Sequence, residues 1–140
     1  MTVSTKNDNE IKSFKYPKKE KLKSRKTIDL LFSEGKSVGK YPLRLVFIKN
    51  TIETTEKLKF GVSVSKKHFK KAVDRNYFKR VLRECYRLNK QVLLDALENS
   101  YSIMFFYQTK DRLSYHEINE KTILLFEKFL KFISDAKSGV

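Results

Sequence analysis

The chain has 140 residues, is 40% apolar with 11 Phe and 7 Tyr, and carries a formal net charge of +15. This length suits one domain with room for a core and tails, and a surface so basic calls for a polyanionic partner, nucleic acid first and an anionic membrane surface second. A single cysteine excludes an internal disulfide, no apolar run approaches the roughly 18 residues of a membrane span, and the N-terminus lacks the apolar segment of a signal peptide, so a cytoplasmic protein is expected.

Residues 1–23 hold seven Lys, three acids and little periodicity, which predicts a flexible basic tail able to order on a polyanion. Ser24 is a helix N-cap, Ile28, Leu31 and Phe32 share one side, and Gly35 is a C-terminal stop, so a short helix to about Glu34 is expected. Tyr41 to Lys49 reads as an extended segment, with Leu43, Leu45 and Phe47 on one face and Arg44, Val46 and Ile48 on the other. After a polar loop at 50–57, Leu58 to Ser65 alternates strictly. Leu58, Phe60, Val62 and Val64 belong to a covered face, and Lys59, Gly61 and Ser63 to an open one.

Lys66 to Lys90 concentrates the charge, with ten Lys or Arg against two acids. On a wheel of about 100° per residue with Ala72 at zero, Arg75, Asn76, Lys79, Arg80, Arg83, Arg87 and Lys90 occupy one arc. Tyr77, Phe78, Val81, Leu82, Cys85 and Leu88 occupy the opposite arc. One face is suited to a core. The other offers guanidinium groups that grip phosphates bidentately, and Lys66, Lys67, Lys70, Lys71, Lys79 and Lys90 add point charge. Exposed helix faces ordinarily mix signs, and this arc contains no acid.

The basic helix is expected to continue or kink into a second piece at 91–98, with Asn99-Ser100 as the break and Tyr101 to Tyr107 as a third major strand. Ser114 and Glu117 form a capping box, Leu113 and Ile118 a hydrophobic staple, and Ile118, Leu125, Phe126, Phe129, Leu130 and Ile133 the apolar face of a last helix ending near Ser134. These elements predict one α/β (α+β) domain over 24–134, between the tail at 1–23 and a short C-terminal tail at 135–140. Its open sheet face carries Val46, Ile48 and, depending on register, either Met104 and Phe106 or Ile103 and Phe105; Phe32 can join them. A basic ridge beside such a groove suits an unpaired strand, whose bases stack while its phosphates are neutralised.

Catalytic chemistry is not legible. His68 and His116 lack metal-ligand spacing with each other or with Cys85. Cys85 reads as a small core residue. There is no Gly-rich phosphate loop, and the acids are too dispersed for a two-metal nuclease cluster.

F-G-V-S-V-S-K-K (Phe60 to Lys67), A-V-D-R-N (Ala72 to Asn76) and K-R-V-L-R-E (Lys79 to Glu84) together resemble the protein subunit of bacterial ribonuclease P. That family's hallmark is a V-G-L-S-V-S-K-K-like strand leading into a helix with R-N-R-x-x-K-R-like spacing, and the likeness spans about residues 20 to 133. It implies a small central sheet packed by helices with a left-handed βαβ crossover, against the usual right-handed rule, a fold shared with ribosomal-protein domains. It implies a subunit of an endoribonuclease that removes the 5′ leader of precursor tRNA. The ribonuclease P RNA would carry the active site and its Mg²⁺ ions, with no metal or catalytic residue in the protein and no obligate protein partner.

Residue by residue, Lys66, Lys67, Arg75, Asn76, Lys79, Arg80 and Arg83 match the basic motif and, with Lys70, Lys71 and Arg87, are the expected contacts to the catalytic RNA. Phe32 and Val46 match leader-cleft positions, with Ile28, Arg44, Ile48 and Lys59 beside them. Tyr77 stands where the second Arg of R-N-R is usual, and its wheel angle at the edge of the apolar arc has it packing. Lys70 and Lys71 replace a common Gly-Asn, and Ile28 and Val46 stand where aromatics are common. The alternative on the same fold is a non-catalytic RNA-binding protein associated with the ribosome.

Overall fold

The computed structural model describes residues 16–50 and 57–138; the tail before residue 16, most of the expected loop at 50–57 and the last two residues lie outside them. Three helices, α1 (Arg25–Glu34), α2 (Ala72–Ala96) and α3 (Tyr115–Ser138), pack on a sheet of β1 (Lys36–Lys40), β2 (Leu43–Lys49), β3 (Leu58–Val64) and β4 (Tyr101–Tyr107). The spatial order is β1-β2-β4-β3, antiparallel except for the parallel β3–β4 pair. Parallel neighbours need a long crossover, and α2 is that crossover.

Pairing assigns the faces of β4, whose apolar run carries no alternation of its own. Phe105 lies opposite Leu45 and Val62, and Ile103 opposite Phe47 and Phe60. Ile103 and Phe105 are therefore on the covered face, with α2 and α3 above them. Met104 and Phe106 are on the other face, with α1. Phe60 stacks on Tyr86 of α2 at 3.7 Å between ring centroids, and Phe126 and Phe129 of α3 are fully buried in the same core. On the opposite face α1 buries Leu31, and Phe32 meets Phe106 edge-on at 6.0 Å.

Local signals explain most element ends. The Ser24 side chain accepts the Thr27 N–H at 3.3 Å, capping α1. Gly35 closes α1 as expected, in an ordinary extended conformation (φ −69°, ψ 154°) with its N–H donating to the Leu31 carbonyl. Its role is close approach: an added Cβ would collide with the Leu31 carbonyl oxygen and come within 3.0 Å of Val46 Cγ1. The capping box forms as expected, with the Glu117 N–H donating to Ser114 Oγ and the Ser114 N–H to Glu117 Oε1. Ser114→Ala should cost about 1 kcal/mol in a denaturant titration. The Ser114 N–H and the Ser114 hydroxyl, both donating to Glu117 Oε1, hold the Glu117 carboxyl below its usual range, and Ser114→Ala removes the hydroxyl's share. A depressed folded pKa stabilises above the unfolded value and stops doing so as pH falls through the folded one, so the Ser114→Ala deficit should shrink below about pH 4.

Four features differ from the sequence expectation. The first is β1, an unpredicted edge strand. Only Val38 of K-S-V-G-K is buried, and lysines at both ends blunt the edge. Secondly, of the two readings left open, a continued or a kinked helix, α2 takes the first but stops at Ala96, short of the expected 98; no Gly or Pro interrupts it and Leu93 anchors its last turns in the core. The third is the last helix, which continues past Ser134 to Ser138.

The fourth difference concerns residues 16–23, expected in the tail. They lie along the outer edge of β3. The Leu22 N–H donates to the Phe60 carbonyl at 3.0 Å, the Tyr16 hydroxyl donates to the same oxygen, and Lys21 pairs in parallel with Phe60. Burial pushes the Tyr16 phenol up to about 12 and also raises that of Tyr86, so both remain protonated donors.

Candidate nucleic-acid interface

The turn joining β3 to α2 is a rigid platform for lysines. The Ser65 carbonyl accepts the N–H groups of His68 and Phe69, and Ser65 Oγ lies 3.1 Å from His68 Nδ1. Phe69 is buried and stacked on Phe78 at 4.8 Å. Arg112 lies over the Phe78 ring at 5.3 Å and pairs with Asp74 at 3.2 Å. Lys66, Lys67, Lys70 and Lys71 project from this anchored turn, all exposed. Arg75 is half-buried, and its Nη1 donates to the carbonyls of Phe69 and Lys70 at 2.8 Å, so this guanidinium ties the turn to the first turn of α2.

Along α2, Asn76, Arg80 and Arg83 are exposed and Lys79 half-exposed, forming an outward ridge. Arg87 continues it but is ion-paired with Glu84, which lowers the Glu84 carboxyl and raises the guanidinium. Lys90, expected on this face, is 2% exposed and bonds both Glu20 carboxylate oxygens at 3.0 and 3.1 Å. It turns inward because residues 16–23 cover that side of the helix. Tyr77, expected to pack, is 39% exposed: it touches Phe78 edge-on at 4.9 Å while Arg80 lies 5.9 Å from its centroid. It is a rim residue because no neighbouring element closes over that flank, where Leu88 is also partly exposed.

On the other face of the sheet, α1 and the β2–β4–β3 surface enclose a cleft. Phe32 is 61% exposed at its mouth, against Phe106. Val46 lies against Gly35, and Arg44 donates to Ser37 Oγ at 2.9 Å. Towards the β3 edge, Leu22, Ile28, Gly61 and Met104 line a cavity of about 370 Å³ with Lys21, Lys23 and Arg83 also on its walls. Arg83 thus belongs to the α2 ridge and to the cleft. Two expected cleft residues lie elsewhere or are engaged. Ile48 lines a separate groove of about 600 Å³ with Phe47, Tyr101, Leu130 and Phe132. The Lys59 ammonium donates to the Lys19 carbonyl at 2.5 Å.

Lys21, Leu22 and Lys23 were not anticipated at the cleft. A weak signal exists in K-E-K-L-K, where Glu20 and Leu22 alternate with lysines as in a strand, but so short a charged run is outweighed by its tail-like composition.

Among the described residues no three His, Cys, Asp or Glu converge as metal ligands, and no helix is long and apolar enough to cross a membrane. His116 pairs with Glu120 at 2.5 Å. Cys85 is buried, which pushes its thiol up to about 11 and away from nucleophilic reactivity.

A model of the Ribonuclease P family matches residues 16–130. The chain is 40% identical over 103 residues to the ribonuclease P protein component of Porphyromonas gingivalis, spanning 72% of this chain and 75% of that protein. It is 35% identical over 115 residues to the ribonuclease P protein component of Dictyoglomus thermophilum, spanning 82% and 92%. Its fold is similar to that of the RNase P protein from Thermotoga maritima, with a TM-score of 0.58, 29% identity and coverage of 76% and 94%. The Staphylococcus aureus RNase P protein shares the fold at a TM-score of 0.62, with 20% identity and coverage of 77% and 93%. With a family match over most of its length and relatives at this level of identity, the chain belongs to the bacterial ribonuclease P protein component family.

Proposed function

We propose that this chain binds the ribonuclease P RNA through the lysine turn and the α2 ridge, and the 5′ leader of precursor tRNA through the cleft between α1 and the sheet. The observation that carries this reading is Arg83, an exposed cation of the α2 ridge that also lines the cleft. A strand lying in the cleft would have its phosphates met by Lys21, Lys23 and Arg83, while Phe32 and Phe106 offer rings to its bases. Arg44 adds charge on the same face.

The cleavage centre and its Mg²⁺ ions are assigned to the RNA subunit. The donor set supports this, because Glu20, Asp74 and Glu84 are each paired with Lys or Arg and no ligand cluster forms among the described residues. The protein's part is to neutralise phosphates where two polyanions meet and to hold the leader extended, in the cytoplasm and without an obligate protein partner. A membrane-surface role is disfavoured, because Phe78, Val81, Leu82 and Cys85 of α2 are buried in the core and unavailable to lipid.

Reconstitution with a bacterial ribonuclease P RNA at low Mg²⁺ tests the reading: precursor-tRNA cleavage should rise on adding the protein, and no rise would overturn it. In the same assay Phe32→Ala should weaken leader-bearing substrate by about 1 to 3 kcal/mol, the loss usual for one base–aromatic stack. Its melting temperature should barely move, because the ring is 61% exposed.

A further inference from the structure

The segment from Tyr16 to Lys23 is fastened from two sides. On β3, the Phe60 carbonyl accepts both the Tyr16 hydroxyl and the Leu22 N–H, and Lys59 donates to the Lys19 carbonyl. On α2, the Glu20 carboxylate accepts the Tyr86 hydroxyl at 3.0 Å and the Lys90 ammonium at 3.0 and 3.1 Å. The Tyr16 ring stands edge-on to Tyr86 at 5.2 Å. The side chains of Lys90 and Glu20 are 3% and 12% exposed. Carrying a lysine inward from a helix otherwise rich in outward cations is costly unless a partner compensates it. At this position the ammonium adds nothing to the ridge and holds Glu20.

What the segment builds is one wall of the cleft. Leu22 lies over Gly61, where an added Cβ would be 3.4 Å from the Leu22 Cβ and 3.2 Å from the Met104 Sδ and Cε. Lys21 and Lys23 line the same cavity as Arg83. Lys23 runs directly into Ser24, the N-cap of α1, so the segment also fixes where α1 begins relative to the sheet. Ile28, in the next turn, faces the same cavity.

We propose that Glu20 is a positioning residue for the precursor-tRNA leader: anchored on Tyr86 and Lys90, it clamps residues 16–23 against β3, so that Lys21, Lys23 and Arg83 surround a cleft of fixed width. This rests on the leader-binding reading given above. The clamp touches the cleft wall and the inward side of α2 and leaves the exposed lysines of the 66–71 turn alone. Its loss therefore acts on leader-bearing substrate and spares the RNA subunit.

The test measures affinities of the reconstituted holoenzyme for a precursor tRNA and for the same tRNA without its leader. Glu20→Gln keeps the side-chain shape and removes the charge. Tyr16→Phe leaves the buried ion pair intact and removes only the hydroxyl bond to Phe60, so it decides the matter if Glu20→Gln fails to fold. Each should weaken the leader-bearing precursor, by about tenfold for Glu20→Gln and less for Tyr16→Phe. Affinities for leaderless tRNA and for the RNA subunit should stay within about twofold of wild type. Glu20→Asp, which retains the carboxylate, should recover part of the loss. Folded variants that keep the wild-type ratio between the two substrates overturn the proposal. So do variants that lose affinity for both substrates and the RNA alike, the mark of a merely structural residue. A wild-type protein that does not distinguish the two substrates would instead overturn the leader-binding function itself.

Discussion

Replacing Arg80 and Arg83 together by alanine should weaken binding to ribonuclease P RNA by about tenfold or more per arginine, the loss expected for a charge-assisted bond to phosphate. Both side chains are exposed on the α2 ridge. Among the described residues neither has an ion-pair partner, so each guanidinium can meet a phosphate without first leaving an acid. The slope of log affinity against log salt should fall by about 0.7 to 0.9 for every phosphate left without its arginine, and a salt titration reads this directly. Thermal stability should hardly change, since surface substitutions away from caps and buried networks usually stay within about 0.5 kcal/mol. Arg75→Ala should behave differently, losing affinity and stability together, because its Nη1 holds the Phe69 and Lys70 carbonyls. An unchanged salt slope in the Arg80/Arg83 double variant would show that the ridge does not face RNA.

The second large effect concerns stability. Lys90→Ala or Glu20→Ala should each destabilise the domain by about 3 to 5 kcal/mol, because either change strands the partner charge in a buried site. The two side chains are 3% and 12% exposed, too little for water to take over their solvation. Against a typical domain stability of about 5 to 15 kcal/mol, either single change is severe. Glu20→Leu combined with Lys90→Met should recover most of this loss, since apolar residues of similar volume need no partner and only the Tyr86 hydroxyl is left without its acceptor. A double-mutant cycle on denaturant midpoints checks this, and additive losses would mean that the pair is not coupled. Tyr86 bears on the size of the effect: its hydroxyl also donates to Glu20, so losing the carboxylate leaves two buried donors short of their acceptor.

Arg83 and Lys90 show where reading by periodicity succeeds and where it stops. They sit about 20° apart on the α2 wheel, yet one reaches solvent and the other is buried against Glu20. A wheel reports direction around one helix axis and knows nothing of what another segment lays against it. The inward turn of Lys90 and the docking of residues 16–23 on β3 therefore have one cause, which the tail-like composition of residues 1–23 conceals. Tyr77 is the converse case: its angle belongs with the apolar arc, but no element packs over it.

Features carried by near neighbours in the chain were determined by the amino-acid sequence alone. The capping box at Ser114, the N-cap at Ser24, the alternation of β3 and the outward run of Asn76, Arg80 and Arg83 each depend on bonds or angles within a few residues. The motif joining β3 to α2 was also enough to suggest the family. Tertiary structure alone decided which face of Y-S-I-M-F-F-Y is covered, because a nearly continuous apolar strand has no alternation and takes its facing from β2 and β3. It decided that K-S-V-G-K is a strand, since one buried Val38 is too weak a local signal without β2 beside it. It also decided that the cleft has a wall built from residues 16–23. Glu20 meets Tyr86 and Lys90 across more than sixty positions of chain, and the desolvation that makes those bonds strong exists only once the core has closed around them.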